Sequence, residues 1–75
     1  MCVIIIKPAG VEMPSEQILR QAYRANPDGC GFVSDTNYYR TMNFDKFMKK
    51  LKKCSDDENV IIHFRLATHG SVRLG

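Results

Sequence analysis

The amino-terminal run Cys2-Val3-Ile4-Ile5-Ile6-Lys7 is apolar and β-branched. Such side chains are stiff about χ1 and suit a pleated sheet. Pro8 and Gly10 follow at once, one lacking a ladder donor and the other free to turn. Residues 3 to 7 therefore read as a buried strand that ends in a change of direction. After Pro14, Ser15 suits an N-cap, Glu16 favours a helix N-terminus, and Ile18, Leu19, Ala22 and Tyr23 recur at helical spacing, which predicts a helix from about residue 15 to 25. Asn26-Pro27-Asp28-Gly29 is a turn sequence, because proline fixes φ and glycine admits positive values. Residues 30 to 34 and 38 to 42 read as the arms of a hairpin around Asp35-Thr36-Asn37. Asn43 caps a second helix with Phe44, Phe47, Met48 and Leu51 on one stripe, and Lys46, Lys49, Lys50, Lys52 and Lys53 on the other face or at its end. Polar residues 55 to 59 lead into a last strand over residues 60 to 64. The order β-α-β-β-α-β makes this an α+β chain.

At 75 residues there is room for one small domain, which buries only about 60% of the surface its unfolded chain exposes. No repeat or linker divides it, so residues 1–75 are read as a single domain. With 44% hydrophobic and 25% charged residues, the composition argues for a packed fold over disorder. Part of the formal charge of +3 sits in residues 46–53. The aromatics there, Phe44 and Phe47, occupy apolar helical positions rather than stacking positions, so the charge is read mainly as a contribution to solubility. Cysteines 2, 30 and 54 form an odd set without CxxC spacing, and no secretory h-region precedes them; the cytoplasm is the expected compartment. No apolar run nears the roughly 18 residues needed to span a bilayer. The cysteines and histidines lack the spacing of a zinc site, and Gly29 and Gly31 form a G-x-G without a third glycine or an immediately following helix. Neither a metal nor a cofactor is expected. The chain stops at Gly75 with no closing element behind residues 63–70, so the domain is expected to continue further.

Chemistry concentrates at two places. Removal of Met1 gives Cys2 both a thiol and a free α-amine. The amine has an ordinary pKa of about 7.7 to 8.0 and can take a proton; a thiolate attacks an amide carbon to form a thioester. A cysteine beginning a strand can equally be a small apolar residue. In His63-Phe64-Arg65-Leu66-Ala67-Thr68-His69-Gly70, strand alternation turns His63 and Arg65 to one face, opposite Phe64. The guanidinium fork of Arg65 matches a carboxylate with two parallel hydrogen bonds, and Thr68, His69 and Gly70 can supply donors around it. The ordinary alternatives are an exposed surface arginine and hydrogen-bonded structural histidines.

Taken in order, Met-Cys-Val-Ile-Ile-Ile, the Asn-Pro-Asp-Gly-Cys-Gly-Phe turn of residues 26–32 and the His-Phe-Arg-Leu-Ala-Thr-His-Gly segment of residues 63–70 resemble the class II glutamine amidotransferases, which are N-terminal nucleophile hydrolases. The resemblance implies a four-layer αββα sandwich that hydrolyses glutamine to glutamate and ammonia without a cofactor. It implies Cys2 as nucleophile and its freed amine as base, Arg65 holding the substrate's α-carboxylate, and Thr68 and His69 lining the same pocket. It further implies that residues 26–31 are the loop against the nucleophile, with Asp28 structural rather than catalytic. A synthase or acceptor domain is the implied recipient of ammonia, and a homo-oligomer is compatible with it. Two departures stand out. Relatives usually carry an arginine just ahead of the loop glycine, where this chain has Ala25 and Asn26, with Arg24 nearby. The Asn-Gly pair of the oxyanion hole and an aspartate for the substrate amine are expected beyond Gly75. Losing one oxyanion donor costs about 100- to 1000-fold in kcat, so these 75 residues alone are expected to be poor catalysts. The alternative is a ferredoxin-like α/β sandwich acting as a non-catalytic module for nucleic acid or protein, with Phe32, Tyr38 and Tyr39 as stacking platforms. The glycine-aromatic signature of an RNA-recognition strand is absent.

Overall fold

Ser15 and Asn43 start the two helices in the way their short polar side chains favour. The Ser15 hydroxyl accepts the Ile18 N–H at 3.3 Å ahead of α1 (Glu16–Ala25), and the Asn43 side-chain oxygen accepts the Lys46 N–H at 3.0 Å ahead of α2 (Phe44–Leu51). The computed structural model describes residues 2–66. Four strands complete it: β1 (Cys2–Lys7), β2 (Cys30–Ser34), β3 (Tyr38–Thr41) and β4 (Val60–Arg65). They form one sheet in the order β1-β4-β2-β3 with every neighbouring pair antiparallel. The last strand therefore inserts between β1 and β2, and each helix joins two parallel strands with one strand between them. Among the described residues no helix is long and apolar enough to cross a membrane.

Both helices cover the same face of the sheet. Leu19 of α1 and Phe44, Phe47, Met48 and Leu51 of α2 pack with Cys30, Phe32, Val60, Ile62 and Phe64 from the strands. The aromatic rings meet edge-on or tilted, with Phe47 and Phe64 centroids 5.4 Å apart and Tyr23 and Phe44 centroids 4.9 Å apart; such contacts add to the area buried. The helical stripe of α2 expected from the sequence is thus the centre of the core. In α1, Leu19 is fully buried but Ile18 is exposed, because it lies at the margin of that helix's inward stripe.

Among the described residues nothing covers the opposite sheet face, which corrects the reading of residues 3–7 as a wholly buried strand. Val3, Ile5 and Lys7 point toward the helix layer, whereas Ile4 and Ile6 are 64% and 71% exposed. The cause is the period of two: in a sheet covered on one side, alternate residues of an edge strand must face out. Val33, Tyr38 and Ile61 are exposed on the same face. At the end of β1 the Lys7 side chain turns inward, and its ammonium donates to the carbonyls of Pro8, Val11 and Asp56 at 3.1, 2.8 and 2.7 Å. Gly10 N–H also donates to Asp56 O at 2.8 Å, and Ala9 N–H to the Asn59 side chain at 2.9 Å. These bonds pin the loop after β1 to the connection before β4, with all three hydrogens of a buried ammonium able to find acceptors.

Candidate functional site

Pairing of the first and last strands brings the two ends of the described chain together. Cys2 is the direct cross-strand partner of Arg65, followed by Ile4 opposite His63 and Ile6 opposite Ile61. Directly opposed residues of an antiparallel pair share a face and hold their Cβ atoms about 4.5–5.5 Å apart. Phe64 is fully buried under the helices, so His63, Arg65 and the latter's partner Cys2 lie on the opposite face. Cys2 is exposed and Arg65 half-buried.

On its other side Arg65 is held by the turn before β2. The Asp28 N–H donates to Arg65 O at 2.8 Å and the Arg65 N–H donates to Gly29 O at 2.9 Å, so the turn extends the ladder past the end of β2. Gly29 has φ 149°, a region that side chains make costly. Asn26 is buried, and its backbone N–H closes α1 onto the carbonyls of Ala22 and Tyr23 while its side-chain amide donates to Ala22 O at 3.2 Å. The turn thus runs from a capped helix to Arg65, and the order across the bare face is Cys2, Arg65, turn. Of the site residues expected from the sequence, Cys2 and Arg65 are brought side by side; Thr68 and His69 lie outside the described residues, as does Met1. Arg24 sits on α1, in the layer behind the sheet.

The other two thiols face away from this site. Cys30 is 4% exposed among core residues, donates to Thr41 O at 3.4 Å, and burial pushes its pKa up to about 11. Cys54 is also raised, chiefly by burial. Because the buried Cys30 thiol holds its proton longer than an unfolded one, the native state binds more protons at high pH and its stability falls as pH rises. Urea unfolding is expected to lose on the order of 1–2 kcal/mol between about pH 9 and pH 11, and Cys30→Ala is expected to flatten that loss; an unchanged alkaline slope in the variant contradicts the assignment.

The sequence places Gly31 in the extended arm of residues 30–34, in an incomplete G-x-G and, by resemblance, in the 26–31 loop; it lies inside β2, so the loop ends before Cys30. Gly31 pairs with His63 on one side and Arg40 on the other. A Cβ there would lie 2.7 Å from Tyr39 O and 3.0 Å from Arg40 Cγ. The missing side chain leaves a depression of about 150 Å³ on the bare face, walled by Val33, Tyr38, Arg40, Ile61, His63 and Arg65. Glycine inside a strand was the available signal, since it marks close approach of other groups. Of the three stacking platforms considered from the sequence, Phe32 is 4% exposed in the core and Tyr39 packs against the core, leaving Tyr38 alone on the bare face. Strand alternation is again the reason.

Comparison with known proteins finds no matching family model, no matching curated protein and no matching solved structure.

Proposed function

We propose that this chain carries the nucleophile of a class II glutamine amidotransferase-like amidohydrolase. The observation that supports this reading is the cross-strand pairing of Cys2 with Arg65 on an uncovered sheet face, with the 26–29 turn hydrogen-bonded to the arginine's backbone. Glutamine places its α-carboxylate about 5 Å from its side-chain amide carbon when extended. That span is close to one strand-to-strand spacing, about 4.8 Å. Arg65 receives the carboxylate through its fork, and the amide carbon then lies within reach of the Cys2 sulfur.

With Met1 removed, the Cys2 amine takes the thiol proton and the sulfur attacks the amide carbon. The C–N bond breaks, the proton passes to the leaving nitrogen, and ammonia departs from a thioester. Water then attacks the thioester, the sulfur regains a proton, and glutamate leaves. The resemblance assigns substrate-binding roles to Thr68 and His69 as well, which lie outside the described residues. The apolar face bearing Ile4, Ile6 and Ile61 receives the second sheet of an αββα sandwich, which also excludes water from the reaction. Ammonia passes to a synthase or acceptor domain in the cytoplasm, and a homo-oligomer is compatible with the scheme. The alternative, a ferredoxin-like binding module, has less support because two of its three aromatic platforms face the helices.

The test compares glutamate release by protein whose Met1 is removed, verified by intact mass, with a form retaining Met1. The retained form is expected to lose at least about 100-fold in kcat, because a peptide nitrogen cannot act as the base. Equal rates would refute the role of the terminal amine.

A further inference from the structure

Positive charge is densest on the outer face of α2, where residues 44–53 hold five lysines and one aspartate. Phe44, Phe47, Met48 and Leu51 turn one side of this helix into the core. Lys46, Lys49, Lys50 and Lys53 fall on the opposite side at spacings of three and four residues, and all four are exposed. Lys53 follows the last helical residues, yet its N–H still donates to Lys50 O at 3.2 Å, so the four make a row about 10 Å long, two helical turns. Among the described residues, both ion pairs belong to Glu16, with Arg20 and Lys52, and neither involves this row. Lys50 stands 5.5 Å from the centre of the Tyr39 ring, and Asp45 in the first turn pairs with none of the four. Residues 67–75 contain no aspartate or glutamate, so they bring the row no counter-charge. Helix stability does not call for this pattern. Cations favour a last turn, where Lys49 and Lys50 sit, but Lys46 lies in the first, against the macrodipole. Like charges three and four residues apart also repel, and solubility alone needs no such ordering. We propose that this row is a docking surface for a short acidic helix of a partner protein, its carboxylates recurring at the same spacing.

The limits of the row select that occupant over an extended polyanion. Asp45 precedes it in the chain and exposed Asp56 and Asp57 follow, so a nucleic-acid strand or an anionic bilayer reaching past the lysines meets carboxylates. Phe44 and Phe47 are buried and give bases no stacking surface. None of the exposed large apolar side chains belongs to α2, which leaves a bilayer nothing to receive. An acidic helix repeats with the same pitch as the lysines and can set a carboxylate against each of them. The row lies on the helix layer, behind the sheet from Cys2 and Arg65. It stays open when a second sheet covers the other face, and it requires neither the Cys2 thiol nor glutamine hydrolysis. The proposal therefore goes beyond the reading above and stands or falls separately.

The experiment follows backbone amide shifts by NMR while probes are added to the chain at about 50 mM salt. The first probe is an alanine-rich helical peptide of about 18 residues with four glutamates spaced as the lysines are. The others are the same peptide with its glutamates scattered around the helix, a DNA duplex of about 12 base pairs, and vesicles of phosphatidylserine and phosphatidylcholine. The spaced peptide is expected to bind with a Kd on the order of 1 mM, the scale of a few exposed ion pairs, with shifts centred on Lys46, Lys49, Lys50 and Lys53. Raising the salt to about 500 mM is expected to weaken it about tenfold. The scattered peptide is expected to bind about fivefold more weakly, as one or two lost pairs imply. Lys46→Gln, Lys49→Gln, Lys50→Gln and Lys53→Gln together are expected to abolish the shifts and keep the dispersed spectrum of the folded chain, since all four side chains are exposed. Equal binding of the two peptides, binding that survives the four substitutions, shifts located on the sheet, tighter binding of the duplex or the vesicles than of the spaced peptide, or no binding at about 10 mM peptide overturns the proposal.

Discussion

Glutamate release in the Cys2→Ala variant is expected to fall by about 10,000-fold or more, the scale seen when a covalent nucleophile is removed. Alanine leaves no atom able to form the thioester, while the proposed carboxylate contact of Arg65 is untouched. The fold should be indifferent to the change: Cys2 is exposed at the start of an edge strand, and substitutions at such positions usually stay within about 0.5 kcal/mol. Urea unfolding followed by circular dichroism checks this second half. A variant that loses activity and keeps its unfolding midpoint separates chemistry from stability. Activity within about tenfold of the parent contradicts the nucleophile assignment.

Phe64→Ala is expected to have the largest effect on the fold, about 3–5 kcal/mol. Phe64 is fully buried and its ring is within 6.5 Å, centre to centre, of Tyr23, Phe44 and Phe47. It pairs with Val3 on one side and Cys30 on the other, so it joins both halves of the sheet to both helices. A domain this small holds only several kcal/mol in total, and the variant should be largely unfolded at 25 °C. The same residue sets the site, because burial of Phe64 under the helices is what turns Arg65 to the bare face. An amide spectrum as dispersed as that of the parent chain contradicts this placement of the core.

What could be read from residues alone was local. Ser15 and Asn43 announce their helices because a cap acts on the turn that follows it, and the Phe44-Phe47-Met48-Leu51 stripe is a 3.6-residue pattern within one helix. His63 and Arg65 share a face because the strand period is two. The meeting of Cys2 with Arg65 is of another kind. Nothing local says that the last strand inserts between the first and second, since that order depends on non-local pairing and on which faces can be buried together. Only the resemblance pointed to those two residues sharing a site. The exposure of Ile4 and Ile6 escaped for a similar reason: a continuous apolar run is consistent with burial on both faces, and only the layer arrangement shows that one is uncovered. Burial of Lys7 depended on two loops distant in sequence supplying carbonyls together, and a charged residue gives no sign of that in advance. Gly31 carried a weak signal that the G-x-G comparison obscured.

The chemistry proposed for Cys2 and Arg65 passes through one covalent state, and that state can be weighed. Protein with Met1 removed is mixed with glutamine, quenched in acid within a turnover, digested, and analysed by mass spectrometry. The account predicts a Cys2 peptide heavier by glutamine less ammonia, absent in Cys2→Ala and strongly reduced in Arg65→Ala at low glutamine. Steady release of glutamate with an unmodified Cys2 peptide, at a rate that Cys2→Ala matches, would contradict it.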